Sequence, residues 1–292
     1  MQERLRVPSF EVQRVVEAAL AEDLGWGDLT TSALIGPRWR ASGRVVAKAS
    51  GVLAGMAVLE AVFHAIDSSI CVSAALPDGA RLEPGEEIAI VAGPAAGILS
   101  AERVALNFIQ RLSGIASLTR RYVDAVAGLP VRIIDTRKTT PGLRALEKYA
   151  VLVGGGHNHR HNLSDGVLIK DNHLVALAEE GCGLREAIAL ARERVPHTVK
   201  IEVEVETPEA AQQAADAGAD AILLDNMDLA AMRCAVALVG RRALVEASGG
   251  VTLATVRAIA ETGVDLISVG ALTHSAPTLD ISLDLALKPP SA

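Results

Sequence analysis

Residues 199–270 read VKIEVEVETPEAAQQAADAGADAILLDNMDLAAMRCAVALVGRRALVEASGGVTLATVRAIAETGVDLISVG, and this stretch decides the fold. Four short apolar runs begin at Val199, Ala221, Ala243 and Asp265, spaced 22 residues apart, with helical patterns between them. Repeated strand–helix units of even length predict parallel strands joined by right-handed crossovers, in a barrel or an open doubly wound sheet. The runs are almost continuously apolar, as expected where both faces of a sheet are covered.

The first part of the chain has a different pattern. Apolar residues at helical spacing predict a helix over residues 8–24, and strand-like runs with Pro and Gly turns follow between residues 41 and 91. A long amphipathic helix is expected over residues 98–114, and a second helix over residues 117–127. The pattern therefore predicts a small sheet-containing domain ahead of the repeating units.

Composition narrows the class of protein. Of the 292 residues, 50% are hydrophobic and only 2% are aromatic, which suits layered α/β packing of Ala, Val, Leu and Ile. The net charge of −7 argues against nucleic acid as a partner, because binding to a phosphate backbone needs a broad basic surface.

Cysteine usage and the N-terminus indicate the compartment. Cys71, Cys182 and Cys234 are far apart and outside any CxxC spacing, which is typical of reduced cytosolic proteins. The N-terminal MQERLRVPSF lacks the apolar run of a signal peptide, and no stretch reaches the ~18 apolar residues of a membrane span. We expect a cytoplasmic protein without a membrane partner.

Polar residues stand at the end of every predicted strand. Two earlier strands, near Val131 (VRIID) and Val167 (VLIK), join the four of the opening stretch. The polar ends are, in order, residues 135–138 (DTRK), residues 170–172 (KDN), Glu202 and Glu204, Asp225 and Asn226, Glu246 with Ser248, Gly249 and Gly250, and Gly270 with nearby His274. In α/β barrels the active site is built at this end of the strands, so we interpret the rim as a functional site.

Residues 135–173 concentrate positive charge in an acidic protein. They hold six Lys or Arg against four acids, together with four of the seven histidines. Forked guanidiniums match carboxylate and phosphate geometry, so the cluster predicts a pocket for a small, multiply anionic ligand. The candidates beside strand ends or a glycine-rich turn are Arg137, Lys138, Arg160 and Lys170.

Two other cations of this cluster have a structural interpretation. Arg144 and Lys148 follow Pro141-Gly142 and are four residues apart, which fits the solvated face of a helix.

A phosphate site and a metal site are predicted at the same rim. Ser248-Gly249-Gly250 before a helix, with Gly270 after the next strand, resembles the phosphate site formed by late loops of a barrel. Glu204 and Asp225 end successive strands, and Mg²⁺ prefers one or two carboxylates with water and substrate phosphates. We therefore expect Mg²⁺ as the cofactor and a phosphorylated sugar as one substrate.

The sequence also resembles one known family. The strings EDLGWGDLTT, AERVALNFIQRLSGIA, DTRKTTPGLR, EKYAV, NHR, LSDGVLIKDNH, EVEVE, LLDN, EASGG and VGALTHS, which extend from Glu22 to His274, are similar to those of quinolinate phosphoribosyltransferases. The resemblance implies transfer of phosphoribose from phosphoribosyl pyrophosphate to the ring nitrogen of quinolinate with Mg²⁺. Pyrophosphate and the 2-carboxylate, as carbon dioxide, would be released, which gives nicotinate mononucleotide for NAD biosynthesis.

The resemblance implies a role for each matching residue. The quinolinate carboxylates would be bound by Arg137, His159, Arg160 and Lys170, and by Arg103 from the partner subunit of a homodimer with shared active sites. Lys138 would bind the pyrophosphate, and Glu204 and Asp225 the ribose hydroxyls and the metal; these three would be the catalytic residues. The 5-phosphate end would be bound by Ser248, Gly249, Gly270 and His274, and Thr136 and Gly250 complete the substrate-binding set.

The fold that the resemblance implies is α/β and of the type II phosphoribosyltransferase kind. An N-terminal α/β sandwich domain, residues 1–115, would be completed by the C-terminal tail, residues 276–292. An incomplete α/β barrel of six to seven strands, residues 116–275, would carry the catalytic site. The sequence leaves open whether dimers assemble further.

Three alternatives stay open on the sequence. Phosphoribose could be transferred to another pyridine carboxylate such as nicotinate, although Arg103, Arg137, Arg160 and Lys170 together exceed what one carboxylate requires. A Schiff-base lyase would use Lys138 or Lys170 as an activated amine. A non-catalytic anion-binding barrel would bind the same ligands without turnover.

Overall fold

The computed structural model describes residues 7–179 and 181–288 of the chain. Its helices are α1 (Ser9–Leu24), α2 (Leu29–Leu34), α3 (Met56–Ile66), α4 (Ala95–Ala125), α5 (Arg144–Val153), α6 (Asp171–Ala178), α7 (Leu184–Arg194), α8 (Pro208–Asp216), α9 (Leu229–Val239), α10 (Val256–Ala260) and α11 (Ala271–His274). Its strands are β1 (Arg40–Ala47), β2 (Gly51–Val52), β3 (Cys71–Ala74), β4 (Arg81–Leu82), β5 (Glu87–Pro94), β6 (Arg132–Ile134), β7 (Val167–Ile169), β8 (Ile201–Val205), β9 (Ala221–Asp225), β10 (Leu244–Ser248), β11 (Leu266–Ser268) and β12 (Ile281–Lys288).

The chain forms two compact units. The first is built from the described parts of Met1–Arg120, Thr139–Gly155 and Leu272–Ala292, and the second from Arg121–Lys138 and Gly156–Ala271. Each unit therefore contains separated pieces of the chain. The domain boundaries given above, at 115/116 and 275/276, stay a prediction.

The first unit is organised on an antiparallel sheet in the order β12-β1-β5-β3. β1 pairs over its full length with β12, from Arg40↔Lys288 to Ala47↔Ile281. The last described strand of the chain thus completes a sheet that begins near the N-terminus. The apolar faces of α1 and α3 are buried, which confirms the helix predicted over residues 8–24 and gives an α/β sandwich.

The two helices predicted after this sheet are one helix, so the predicted break between residues 114 and 117 is wrong. α4 is a continuous helix of 31 residues. At Gly114 a Cβ atom would lie 2.0 Å from the backbone carbonyl oxygen of Pro277, so glycine is needed there because another segment crosses the helix. Ser113 has a similar packing role, since its hydroxyl bonds to the backbone N–H and C=O of Ala54 at 3.0 and 3.2 Å. In residues 7–179 and 181–288, no helix is long and apolar enough to cross a membrane.

The helix that follows Pro141-Gly142 is less exposed than its sequence suggests. The side chain of Lys148 in α5 is buried, with 2% of the residue exposed, so the predicted solvated face is wrong for this residue. Arg144 is half-buried and its Nε donates to Thr139 Oγ1 at 3.0 Å. The i, i+4 spacing is compatible with either environment, and tertiary packing decides between them.

A buried ion pair joins three segments of the first unit. Glu147 in α5 is fully buried and accepts hydrogen bonds from Arg111 in α4 at 2.8 Å and from the Thr140 hydroxyl at 2.8 Å. The same guanidinium donates to the backbone carbonyl oxygens of Thr273 and Ala276. Arg111 therefore holds the segment near Ala276 directly. It holds the segment near Thr140 through Glu147.

The second unit contains a parallel six-stranded sheet in the order β6-β11-β10-β9-β8-β7. This is the strand order of an α/β barrel that is open between β6 and β7. On the open side of β6, the backbone N–H of His157 donates to Ile133 C=O at 2.9 Å and the N–H of Asp135 donates to His157 C=O at 3.1 Å. The six predicted strands and the incomplete six- to seven-stranded barrel are confirmed.

We predict that Gly114→Ala destabilises the protein although it replaces glycine inside a helix. Alanine normally gains about 1 kcal/mol in a helix interior. Here the new methyl group must displace the backbone at Pro277, and overpacking of this kind costs about 1–3 kcal/mol or more. Chemical denaturation measures the free energy of unfolding.

Gly97→Ala in the same helix is the matched control. Its Cβ would first meet the flexible Cδ1 end of Ile70, at 3.1 Å, so we expect a neutral or stabilising effect. Equal stability of the two variants would contradict the close approach at Gly114.

Candidate active site

The parallel sheet of the second unit brings the predicted rim residues to one edge. Asp225 is the register partner of Ser248, and Ser268 is the partner of Ile134. The residues after these strands therefore meet at the same end of the sheet. The predicted site residues placed there are Thr136, Arg137, Lys138, Lys170, Glu204, Asp225, Ser248, Gly249, Gly250 and Gly270.

Lys170 and Glu204 form an ion pair at this edge. Lys170 follows β7 and its Nζ lies 2.7 Å from Glu204 Oε2 in the neighbouring strand β8. The lysine side chain is 44% exposed and the carboxylate 17%, so both groups remain accessible to a ligand. One residue predicted to bind quinolinate and one predicted to bind ribose and metal are thus in direct contact.

The ends of β9 and β10 interlock through Asn226. Its backbone N–H donates to Ser248 C=O at 3.0 Å and its side-chain amide donates to Asp225 Oδ2 at 2.8 Å. A Cβ atom at Gly249, where φ is +92°, would lie 2.1 Å from Asn226 Oδ1, so only glycine fits. Asn226 was noted at a strand end in the sequence without a role, and the structure makes it the residue that orients Asp225 against the glycine loop.

The glycine loop differs from its prediction in one respect. Helix α10 begins only at Val256 and has five residues, whereas the sequence placed a helix directly after Gly250. The backbone of Gly249 and Gly250 has positive φ at both positions. Thr252 and Thr255, which are joined by a hydrogen bond at 3.0 Å, lie between the glycines and this helix.

His159 is held inside the barrel by hydrogen bonds on three sides. Its backbone N–H donates to Oδ1 of the fully buried Asp135 at 2.9 Å, and the Asn158 amide donates to Oδ2 of the same carboxylate at 2.6 Å. The ring accepts the backbone N–H of Arg160 on Nδ1 at 2.7 Å, and its Nε2 lies 3.1 Å from Glu202 Oε2. Both ring nitrogens therefore have protein partners. The predicted direct role of His159 in binding a carboxylate stays a prediction, and this geometry does not favour it.

Two buried carboxyl groups lie behind His159. Glu202 and Glu246 are 9% and 1% exposed, and Glu246 Oε2 lies 3.7 Å from His159 Nε2. Burial, together with the negative charge of Glu202, raises the pKa of Glu246 to about 8. Burial and the neighbouring carboxylate therefore both favour the protonated form of Glu246.

The alternation of residues in the strands also indicates where Glu202 and Glu246 lie. Side chains two residues apart in a strand share a face, so Glu202 lies on the face of Glu204 and Glu246 on the face of Ser248. The alternation EVEVE therefore indicates two layers of acids inside the barrel. Only the upper layer was given a role.

The positive charges of Arg137 and Arg160 act on each other at the rim. Burial first, and then the positive charge of Arg137, lower the pKa of Arg160, while the negative charge of Glu202 opposes this shift. The Arg160 guanidinium also donates to Gly166 C=O at 3.1 Å. Like charges held together in this way form a site for an anion with more than one negative group.

Arg103 and His274 belong to the first unit. Both are exposed, and His274 Nδ1 lies 2.6 Å from Ser275 Oγ. Their predicted roles, at quinolinate and at the 5-phosphate, stay predictions.

Two groups of carboxylates are available for a metal ion. Glu204 and Asp225 are half-buried at the edge of the sheet, which suits a hydrated Mg²⁺ that keeps water and substrate oxygens. The other group, His159, Glu202 and Glu246, has ligand atoms within 4.8 Å of one another. It is less suited to a cation, because His159 Nδ1 accepts the backbone N–H of Arg160 and the ring nitrogen that faces the two acids therefore carries the proton.

A cavity of about 490 Å³ lies beside the site, between β7 and helices α6 and α7. Its lining is mostly apolar, and Arg160 is the one predicted site residue in it among the residues that the structure describes. The cavity therefore shares Arg160 with the rim.

Comparison with known proteins identifies the family. Residues 28–113 match the model of the quinolinate phosphoribosyl transferase N-terminal domain, and residues 115–284 match the C-terminal domain. A probable nicotinate-nucleotide pyrophosphorylase [carboxylating] of Bacillus subtilis is 46% identical over 279 residues, which are 95% of this chain and 94% of that protein. A mitochondrial quinolinate phosphoribosyltransferase [decarboxylating] 2b of Nicotiana tabacum is 41% identical and covers 95% of this chain and 83% of its own length.

The fold agrees with these matches. The crystal structure of NadC from Streptococcus pyogenes superposes with a TM-score of 0.92 at 41% identity, over 97% of this chain and 99% of the other. Both domains and their order along the chain are therefore shared. The chain belongs to the quinolinate phosphoribosyltransferase family.

Proposed function

We propose that the rim of the second unit transfers phosphoribose from phosphoribosyl pyrophosphate to quinolinate and releases the 2-carboxylate as carbon dioxide. The products are nicotinate mononucleotide, pyrophosphate and carbon dioxide, in de novo NAD biosynthesis. The observation that carries the proposal is the pair of neighbouring guanidiniums, Arg137 and Arg160, on a barrel of this family. Their mutual repulsion is relieved by a ligand that brings two carboxylates.

The quinolinate subsite consists of Arg137, Arg160 and Lys170. Guanidiniums bind carboxylates through paired hydrogen bonds, and the ammonium of Lys170 adds a point charge. Three positive side chains exceed what is needed to bind nicotinate, which has one carboxylate. A Schiff-base lyase is also less suited, because Lys170 lies in an ion pair with Glu204, whereas that chemistry needs an uncharged amine.

The sugar subsite consists of Lys138, Glu204, Asp225 and the glycine loop. Positive charge develops on the ribose as pyrophosphate leaves, and the fixed carboxylates of Glu204 and Asp225 stabilise it. Lys138, exposed after β6, binds the pyrophosphate, and Thr136 accepts the Lys138 backbone N–H at 3.0 Å. When Mg²⁺ is bound at Glu204 and Asp225 it supplies further positive charge for the leaving group. No residue forms a covalent intermediate in this scheme.

The active protein is a homodimer in this proposal. Arg103 is an exposed cation on α4, and it joins the quinolinate subsite of the partner subunit. Support comes from the family motif AERVALNFIQRLSGIA, which contains this residue. A cytoplasmic location is part of the proposal.

The direct test supplies phosphoribosyl pyrophosphate and Mg²⁺ with quinolinate or nicotinate in separate reactions. We expect nicotinate mononucleotide from quinolinate alone, detected by mass spectrometry with one equivalent of carbon dioxide. Product from nicotinate alone would overturn the dicarboxylate subsite. Reduction of a substrate adduct onto lysine by borohydride would favour the lyase.

We predict that removing the carboxylates of the sugar subsite lowers kcat. Glu204→Gln and Asp225→Asn each remove a charge that stabilises the transition state, and the expected loss is about 10²-fold or more. Chelation of divalent cations abolishes turnover of the unmodified protein, and added Mg²⁺ restores it. Steady-state kinetics provide the measurement.

Glu209→Gln is the matched control for these variants. Glu209 is an exposed acid in the first turn of α8, so its change is expected to leave kcat within about twofold of the unmodified value. Full activity of Glu204→Gln in the presence of chelator would exclude the metal role.

We predict that two inactive variants complement each other when their subunits mix. Arg103→Ala lacks the partner contribution and Lys138→Ala lacks the pyrophosphate ligand. A hybrid dimer contains one site in which both residues are intact, so part of the activity returns. Absence of recovery after subunit exchange has been verified by differential mass labels would refute the shared site.

A further inference from the structure

A buried polar cluster lies beneath the quinolinate subsite and has no role in the chemistry described so far. Its members are His159, Glu202 and Glu246, whose side chains are 14%, 11% and 1% exposed. His159 Nε2 lies 3.1 Å from Glu202 Oε2 and 3.7 Å from Glu246 Oε2. Such buried polar groups are retained at a cost in stability, so their arrangement calls for a function.

The hydrogen bonds of His159 define its tautomer. Nδ1 accepts the backbone N–H of Arg160 at 2.7 Å, so this nitrogen carries no proton. Nε2 then carries the ring proton and donates it toward Glu202 and Glu246. The ring is neutral in this arrangement, and it couples the two acids to the backbone of Arg160.

The same backbone is held from its other side by Asp135. The N–H of His159 donates to Asp135 Oδ1 at 2.9 Å, and Asn158 occupies the second oxygen at 2.6 Å. Consecutive N–H groups, of residues 159 and 160, are therefore bonded to side chains instead of a neighbouring strand. The direction in which Arg160 leaves the backbone depends on these side chains.

The acid pair also balances charge at this point. Glu202, whose Oε2 lies 3.1 Å from His159 Nε2, places a negative charge close to Arg160. That charge favours the guanidinium of Arg160, against the repulsion from Arg137. His159 Nε2 carries the ring proton and has no lone pair for a metal ion, so we reject a metal site at these three side chains.

We propose that Glu202 and Glu246 are positioning residues of the quinolinate subsite: they hold His159 as the Nε2–H tautomer, which fixes Arg160 for the ligand. The identity of the ligand rests on the proposed function, whereas the tautomer does not. In this arrangement His159 acts on the ligand through Arg160. Loss of the pair therefore weakens the binding of quinolinate and leaves the sugar subsite intact.

The first test is the tautomer of His159 in the unmodified, ligand-free protein. Two-bond proton–nitrogen correlation spectra distinguish a protonated from an unprotonated ring nitrogen, and His159→Gln assigns the signal by its loss. We expect an unprotonated Nδ1 and a protonated Nε2, and Glu246→Gln, which imitates the protonated acid, preserves this pattern. A proton on Nδ1, in either the other tautomer or the imidazolium, overturns the proposal without any use of activity.

The second test is the effect of Glu202→Gln on each substrate. This variant loses a hydrogen bond to a charged group, so we expect KM for quinolinate to rise about tenfold or more. KM for phosphoribosyl pyrophosphate is expected to stay within about twofold of the unmodified value. Glu209→Gln is the control, and thermal melting verifies that both variants fold. An equal rise for both substrates, or a change in neither, overturns the positioning role.

The two tests separate this proposal from the proposed function. A protein that shows the expected tautomer but makes no product from quinolinate retains the positioning cluster and loses the substrate assignment. A protein that makes the product with a different tautomer retains the reaction and loses the positioning role.

Discussion

The open edge of β6 is the constraint on which the site depends. A barrel that stops between β6 and β7 leaves the N–H and C=O groups of β6 without a neighbouring strand, and unpaired backbone groups in a protein interior are costly. The segment at His157 bonds to this edge, and the buried carboxylate of Asp135 then takes the N–H of His159. The chain that closes the edge is therefore the chain that delivers His159 and Arg160 into the barrel. One segment therefore both closes the open edge of the barrel and determines the position of the basic pocket.

The charges of the site are arranged in two layers. Arg137, Arg160 and Lys170 lie at or near the rim, and Glu202 and Glu246 lie below it. An acidic chain can hold neighbouring guanidiniums in a half-buried place because a buried acid offsets part of their repulsion. Burial first, and then the negative charge of Glu202, raise the pKa of Glu246 to about 8. The result is a positive pocket above buried acids, which suits a dianion.

The glycine loop and the first unit follow the same rule, that small residues mark close approach. Gly249 leaves space for the Asn226 side chain, and Gly114 leaves space for the backbone at Pro277. In the sequence both glycines occur in short motifs, EASGG and RLSGIA, which are typical of turns or helix ends. In the structure one belongs to a loop and the other to the middle of a 31-residue helix. A glycine in a sequence does not tell whether it is needed for close approach or for positive φ, and it does not identify the neighbouring group.

The sequence by itself determined the six parallel strands, the polar rim and the family. Period-two and near-continuous apolar runs, together with the even spacing of the units, are local properties that survive without knowledge of contacts. Tertiary structure alone decided that α4 is continuous, that Lys148 is buried and that the ring of His159 faces Glu202 and Glu246. Each of these depends on residues far apart in the chain, such as Gly114 with Pro277, or His159 with Glu246. Burial and tautomer are set by such neighbours, and a linear pattern does not contain them.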